Sequence, residues 1–334
     1  MNIRKLEQNE HGKTKALYRE VFSTDSDGFV DYYYTEKIKD NQIYVAEDEG
    51  KIVGMLHLNP YTLKVNGMDK ETNYIVAVAT KEEYRRQGIM RMLLTTTLKD
   101  MYASHQTFTF LMPAAESIYL PYDFRTVYEQ NHTYHEREHE GKGFEIQELK
   151  VEECEELAEV MNRFLAGNFQ VYAFRNKEYF ERLKKEYESD GAKLMLYRKE
   201  GQIVDMRPCV PEEDIIKGIK PKIMIRILDV RRLLMSLRLK SLMAVCFHVT
   251  DPVIEENNRC VVMTGTEFSG VMLMDSKPEN SEGTITIAAL ASLLFGAKTV
   301  DEICEEDGVS MSERMKGEMK KIVPLSRIYL NEIV

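Results

Sequence analysis

From Asn73 to Asp100 the sequence runs N-Y-I-V-A-V-A-T-K-E-E-Y-R-R-Q-G-I-M-R-M-L-L-T-T-T-L-K-D, an apolar strand passing through two arginines and a glycine into an amphipathic helix. Val76, Ala77 and Val78 form the unbroken apolar run of a buried strand, and Met90, Leu93, Leu94 and Leu98 recur at helical spacing. The helix is predicted to begin near Arg86. Its first N–H groups then lack intrahelical acceptors and point outward with the positive pole of the helix dipole. Gly88 has no side chain to block close approach, and Arg85, Arg86 and Arg91 add positive charge within the first turns. An anion belongs at such a turn, and a diphosphate is the ligand expected there.

The chain's 334 residues exceed one ordinary domain, so two or three are expected. With 43% hydrophobic and 30% charged residues the composition is globular. No apolar run approaches the roughly 20 residues of a spanning helix, and no membrane partner is expected. The first residues, M-N-I-R-K-L-E-Q-N-E, lack the apolar core of a secretory leader, which makes the cytoplasm the expected location. Five scattered cysteines without a C-x-x-C pair are expected to be reduced, small buried hydrophobes. A net charge of −10 argues against a nucleic-acid partner and is compatible with a cationic substrate.

Alternation predicts a strand at 1–6, a helix over 11–22, and a hairpin of I-Y-V-A-E-D and I-V-G-M-L-H-L about Glu49-Gly50-Lys51. A short reversal at 65–68 precedes the strand at 74–79, and T-F-T-F-L-M gives another at 107–112. A short helix and the loop Tyr119-Leu120-Pro121-Tyr122-Asp123-Phe124 lead to a strand over 130–137. His132, His135 and His139 fall there, but a strand sends His132 and His135 to opposite faces, so no metal site is expected. Beyond a glycine linker, two helices (154–165 and 177–188) and a hairpin (194–197 with 203–206) make a small middle piece. The remainder reads as strands at 243–250, 259–264 and 270–274, then G-T-I-T-I switching to a helix at Ala288. The fold class is α/β (α+β).

The strand–RxxG–helix segment resembles the acetyl-coenzyme A signature of the GNAT acyltransferases, Q/R-x-x-G-x-G/A, with Arg85 first and Gly88 fourth. Met90 departs from the small sixth residue, so its side chain must turn inward for its amide to face the pyrophosphate. The element order also matches GNAT, which implies a mixed sheet that splays open to admit the pantetheine arm. The run Ile225–Val230 together with T-I-T-I…L-A-S-L-L-F-G resembles the sterol-carrier-like C-terminal domain of the Eis acetyltransferases. That resemblance implies a GNAT domain over 1–140, a truncated GNAT-like middle over 141–210, a sterol-carrier-like domain over 211–334, and assembly into rings of six.

What the resemblance implies chemically is transfer of acetyl from acetyl-CoA, as cosubstrate, to a small primary amine by direct attack. Val76, Ala77, Val78, Arg85, Arg86, Gly88, Ile89, Met90 and Arg91 would hold the cofactor, with the Val76 and Val78 amides polarising the thioester. The Val334 carboxylate, as the chain's terminus, would be the base. Phe124 stands where the family has its proton-donating tyrosine, leaving Tyr122 or Tyr119 to replace it. Asp25, Asp27 and Glu332 are candidates to hold a cationic amine. The alternative is a non-catalytic acyl-CoA or small-ligand-binding protein on the same scaffold, with lipid carriage by the last domain a third reading.

Overall fold

The first sheet is assembled from segments that lie far apart in the sequence. In a computed structural model, which describes residues 1–136, 143–212, 215–216, 218 and 220–332, the chain opens with β1 (Asn2–Lys5), α1 (Lys15–Val21) and α2 (Asp27–Thr35). Next come β2 (Gln42–Asp48), β3 (Lys51–Val65) and β4 (Met68–Thr80), an antiparallel meander. Its turns place Glu49 and Gly50, then Asn66 and Gly67, at positive φ, as two-residue hairpin loops require. Helix α3 (Ile89–Ala103) crosses back to β5 (Phe108–Leu111), and α4 (Glu116–Tyr119) leads to β6 (Arg125–Glu129). Strand β6 ends there; residues 130–136 have no strand pairing, contrary to their alternation.

The middle piece contains β7 (Glu145–Glu148), α5 (Cys154–Asn168), β8 (Val171–Ala173), α6 (Lys177–Ser189), β9 (Lys193–Lys199) and β10 (Gln202–Cys209). Strands β7, β9 and β10 form a three-stranded sheet. It packs with α5 and α6 around a small core of its own that includes Leu157, Phe180, Leu194 and Leu196. The chain then returns to the first sheet. Strand β11 (Lys222–Ile227) slots antiparallel between β5 and β6, giving the order β1-β2-β3-β4-β5-β11-β6. This departs from the sequence-based boundary, which assigns Ile225–Ile227 to the last unit. Its alternation predicts a strand correctly but carries no information about the partner.

Residues 230–332 build a second five-stranded sheet in which Met243–Thr250, Arg259–Thr266 and Gly270–Ser276 are antiparallel neighbours and Gly283–Thr286 runs parallel to the first of them. The helix Ile287–Leu294 is buried on every side, as its composition demands. One apolar core runs from the first sheet into this part, with Phe108 edge-on to Phe295 at 5.3 Å. The tail finally returns to the first sheet, where Ile328–Tyr329 pairs with β8, and β8 pairs with the end of β3. Among the described residues no helix is long and apolar enough to cross a membrane.

The join is fixed by a buried ion pair. Arg226 on β11 is 0% exposed and grips Asp251 at 2.9 and 2.5 Å. Asp251 also accepts from the N–H groups of Val253 and Ile254 and from Asn257. Against the burial that would raise it, Arg226 and these donors hold the Asp251 carboxyl below the usual range.

Candidate active site

Helix α3 begins later than predicted, at Ile89, because Gly88 at φ 81° and Arg86 at φ 63° are both left-handed. The first intrahelical bond is Met92 N–H to the Gly88 carbonyl at 3.0 Å. The N–H groups of Ile89, Met90 and Arg91 therefore have no acceptor within the helix. Arg85, Arg86, Gly88 and Arg91 are exposed. A Cβ placed on Gly88 would meet nothing within 4 Å, so the backbone is open to an approaching anion. A left-handed residue at a helix start is the local shape of an anion-binding nest. Ile89 is buried, and Met90 turns its side chain onto the main core, which leaves both backbone amides at the helix mouth.

The strand leading to this turn separates from its neighbour. Strands β4 and β5 share one parallel pairing, Tyr74 with Phe110. Thr72 and Thr109 stitch the strands together up to that point, each donating its hydroxyl to a carbonyl across the gap. Val76, Ala77 and Val78 lie past the last pairing, and Ala77 takes φ 50° where the β3–β4 register shifts. A gap running from Tyr74 to the α3 mouth is the shape a linear thioester arm needs, and these residues fit acetyl-CoA.

Beside Tyr74 lies a cavity of about 310 Å³. Its walls come from widely separated parts of the chain, among them Lys37 and Asn41 ahead of β2, Asn59 and Tyr61 on β3, Glu71 on β4, Tyr179 and Glu186 on α6, and Glu332 on the tail. Asn59 pairs with Tyr74 in the β3–β4 register, so the cavity adjoins the point where the sheet opens. Glu332 is 2% exposed, accepts from the Tyr179 hydroxyl at 2.6 Å and lies 3.4 Å from Arg175. Arg175 is itself held between the rings of Tyr179 and Tyr329, both at 5.2 Å. Several buried polar atoms here have no hydrogen-bond partner among the described residues: both amide atoms of Asn59, Asn41 Oδ1 and Glu186 Oε1. Each such atom costs about 1–3 kcal/mol until something meets it.

Of the sequence candidates, Glu332 alone lines this cavity. Asp25 accepts from the Tyr18 hydroxyl at 2.8 Å and lines a separate hollow with Ser26 and Asp190. Asp27, in the first turn of α2, turns outward to Arg19 at 3.0 Å. Neither joins Glu332, because one is committed to a neighbour and the other to solvent. Tyr119 is buried edge-on to Phe124 at 5.8 Å, and burial pushes its phenol up to about 12. Tyr122 packs half-buried on the main core. His132 contacts Gln130 and His135 contacts Tyr197. Val334 and His139 lie outside the described residues.

Sequence reasoning missed Asn59, Tyr61, Tyr179 and Glu186. The available signal was weak: Glu186 stands on the Tyr179–Leu183 stripe of α6 at i, i+4, i+7, a charge where the pattern calls for an apolar residue.

Behind the cavity, His57 is fully buried and shares a 2.9 Å hydrogen bond with the Tyr33 hydroxyl. Burial, with a smaller contribution from His11, pushes its imidazole down to about 3. A base whose folded value is depressed stabilises the fold fully above its unfolded value of about 6.5 and loses that stabilisation as pH falls toward 3. Between pH 7 and 5 this group removes about 2 kcal/mol, at about 1.4 kcal/mol per unit. Urea midpoints of the wild type should therefore fall more over that interval than those of His57→Gln. Equal falls would remove His57 from the acid response.

Residues 2–127 match the acetyltransferase (GNAT) domain family, and residues 230–331 match a sterol carrier protein domain. The second match starts just after β11, in keeping with that strand's place in the first sheet. No curated protein sequence matches the chain. Among solved structures, a GCN5-related N-acetyltransferase from Anabaena variabilis superposes with a TM-score of 0.77 at 13% identity over 100% of both chains. A probable N-acyltransferase from Enterococcus faecalis gives 0.75 at 12% over 98% of this chain and 99% of that one. Eis1 from Mycobacterium abscessus gives 0.69 at 14% over 96% and 97%. At these identities the likeness establishes the fold. Residues 2–127 thus carry a GNAT acetyltransferase domain match and residues 230–331 a sterol carrier protein domain match, on a chain whose fold is similar over its whole length to that of Eis1 from Mycobacterium abscessus.

Proposed function

We propose that the protein acetylates a small cationic primary amine by direct transfer from acetyl-CoA. The observation that carries this reading is that Tyr74, where the β4–β5 pairing ends, neighbours Asn59 and Tyr61, two wall residues of a cavity whose unpartnered atoms are mostly acceptors. Asn59 Oδ1, Asn41 Oδ1 and Glu186 Oε1 all lack a donor, and an alkylammonium brings three. The walls carry five carboxylates against the two cations Lys37 and Arg182, which favours a positively charged acceptor.

In the transfer, the amine nitrogen attacks the thioester carbonyl carbon, the C–S bond breaks, and the sulfur leaves with the electron pair and takes a proton. The Val76 and Val78 amides, on β4 past its last pairing with β5, would polarise the carbonyl. Tyr119 retains its proton at neutral pH and is the candidate donor to sulfur in place of Phe124. A thiolate leaves readily, so this donor contributes less than the 10²–10⁴-fold typical of general acids.

The test is thiol release from acetyl-CoA by the full chain over benzylamine, phenethylamine, cadaverine and spermidine. Release above the amine-free background is expected for at least one. If calorimetry shows acetyl-CoA bound while every amine stays at background, the non-catalytic binding reading replaces this one.

A further inference from the structure

Glu186 is a buried carboxylate with one oxygen unpartnered among the described residues. It sits on α6, outside the acetyltransferase domain, and is 3% exposed. Its two oxygens are treated differently. Oε2 accepts from Lys37 Nζ at 3.0 Å and from the Tyr32 hydroxyl at 2.9 Å. Oε1 has no partner, although the residue lines the cavity and the unpaired amide of Asn59 lines it too. One oxygen is thus anchored and fixes the carboxylate's orientation, while the other is held ready. A buried acceptor left open is costly, and an ordinary structural ion pair would have used it.

Resting on the acetyltransferase reading, we propose that Glu186 is the general base of the reaction, its Oε1 accepting the proton that the acceptor ammonium must lose before its nitrogen can attack. The nitrogen sheds two protons in all. The first passes to Oε1 and reaches solvent when product leaves; the second restores the proton that Tyr119 gives to the departing thiolate, so an ammonium and acetyl-CoA become an amide, the free thiol and one released proton. Burial, only partly offset by Lys37 and Tyr32, raises the Glu186 carboxyl above the usual range, which makes it a better proton acceptor than an exposed glutamate. The assignment moves the base from the chain's terminus to the middle piece, and gives that piece a chemical task.

The experiment uses the full chain and two kinds of acceptor. The first is benzylamine, or whichever amine of the panel reacts fastest, which is protonated at neutral pH. The second is O-methylhydroxylamine, small, nucleophilic and already neutral. Glu186→Gln should lower kcat/KM on the protonated amine by about 100-fold or more. On O-methylhydroxylamine its deficit should be at least about tenfold smaller, because the step Glu186 performs is no longer needed. Acetyl-CoA affinity should be unchanged by calorimetry. Glu186→Asp retains a carboxylate one methylene shorter and should show an intermediate loss with the same dependence on the amine; it decides the matter if the glutamine variant does not fold. Equal deficits on both acceptors would reduce Glu186 to a structural role. Full activity in Glu186→Gln, with activity lost on deleting Ile333 and Val334, would hand the proton to the terminal carboxylate and overturn the proposal while leaving the acetyltransferase reading intact. No turnover of any amine by the wild type would bring down both.

Discussion

Gly88→Asp is expected to weaken acetyl-CoA binding by about 100-fold, or about 2.8 kcal/mol, while leaving the fold in place. The residue is left-handed, a conformation aspartate tolerates better than most side chains. A Cβ there meets open space, so the protein itself accommodates the change. The new carboxylate would occupy the volume the cofactor's phosphates need and would repel them within a few ångströms. Gly88→Asn separates the two causes. It has the same shape without the charge and should cost about tenfold, or about 1.4 kcal/mol. Titration calorimetry on the three proteins reads both effects, and thermal melting confirms the fold. Equal affinities would mean that the phosphates lie elsewhere.

Arg226→Met should be the most damaging single change to stability, at about 3–5 kcal/mol, because it leaves the Asp251 carboxylate buried and uncompensated. Asp251→Leu should do comparable harm by stranding Arg226. The double variant should recover most of the loss, since an apolar pair of similar volume avoids the desolvation of two charges. Urea unfolding of the four proteins closes the double-mutant cycle. Additive losses in the double variant would show that the pair acts through separate contacts rather than through each other.

The parts of the fold that were legible in the sequence are those whose information is local. The β2–β3 hairpin announces itself through Glu49-Gly50, and β4 with α3 through a change of period around one glycine. Met243–Thr250 alternates clearly over eight residues. Val171–Ala173 and Ile328–Tyr329 are three and two residues long, too short for a period to register, yet both join the first sheet. Strand β11 is visible as a strand, but its neighbours β5 and β6 lie about a hundred residues earlier, and nothing in an alternating run says which edge it will seek.

The two halves of the site divide the same way. The proposed cofactor half is one continuous stretch, so spacing and charge are enough to propose its residues. The proposed acceptor half gathers Asn41, Asn59, the α6 pair Tyr179 and Glu186, and Glu332 from four places, and only folding brings them together. Carboxylates suit a cationic ligand, so the sequence offers Asp25 and Asp27 beside Glu332. The structure commits one to Tyr18 and the other to Arg19, and the buried carboxylates that line the cavity, Glu186 and Glu332, stand on a helix and a tail that look ordinary in isolation.

The late arrival of β11 sets the order in which the chain can mature. During synthesis β5 and β6 emerge without the strand that belongs between them, and their facing edges stay unpaired until residue 227 has left the ribosome. Unpaired edges invite misassembly for as long as they persist. The stretch ending near residue 140 is therefore expected not to fold on its own. A fragment cut there should aggregate, and the shortest soluble piece should extend past Asn257, where Arg226 has met its partner.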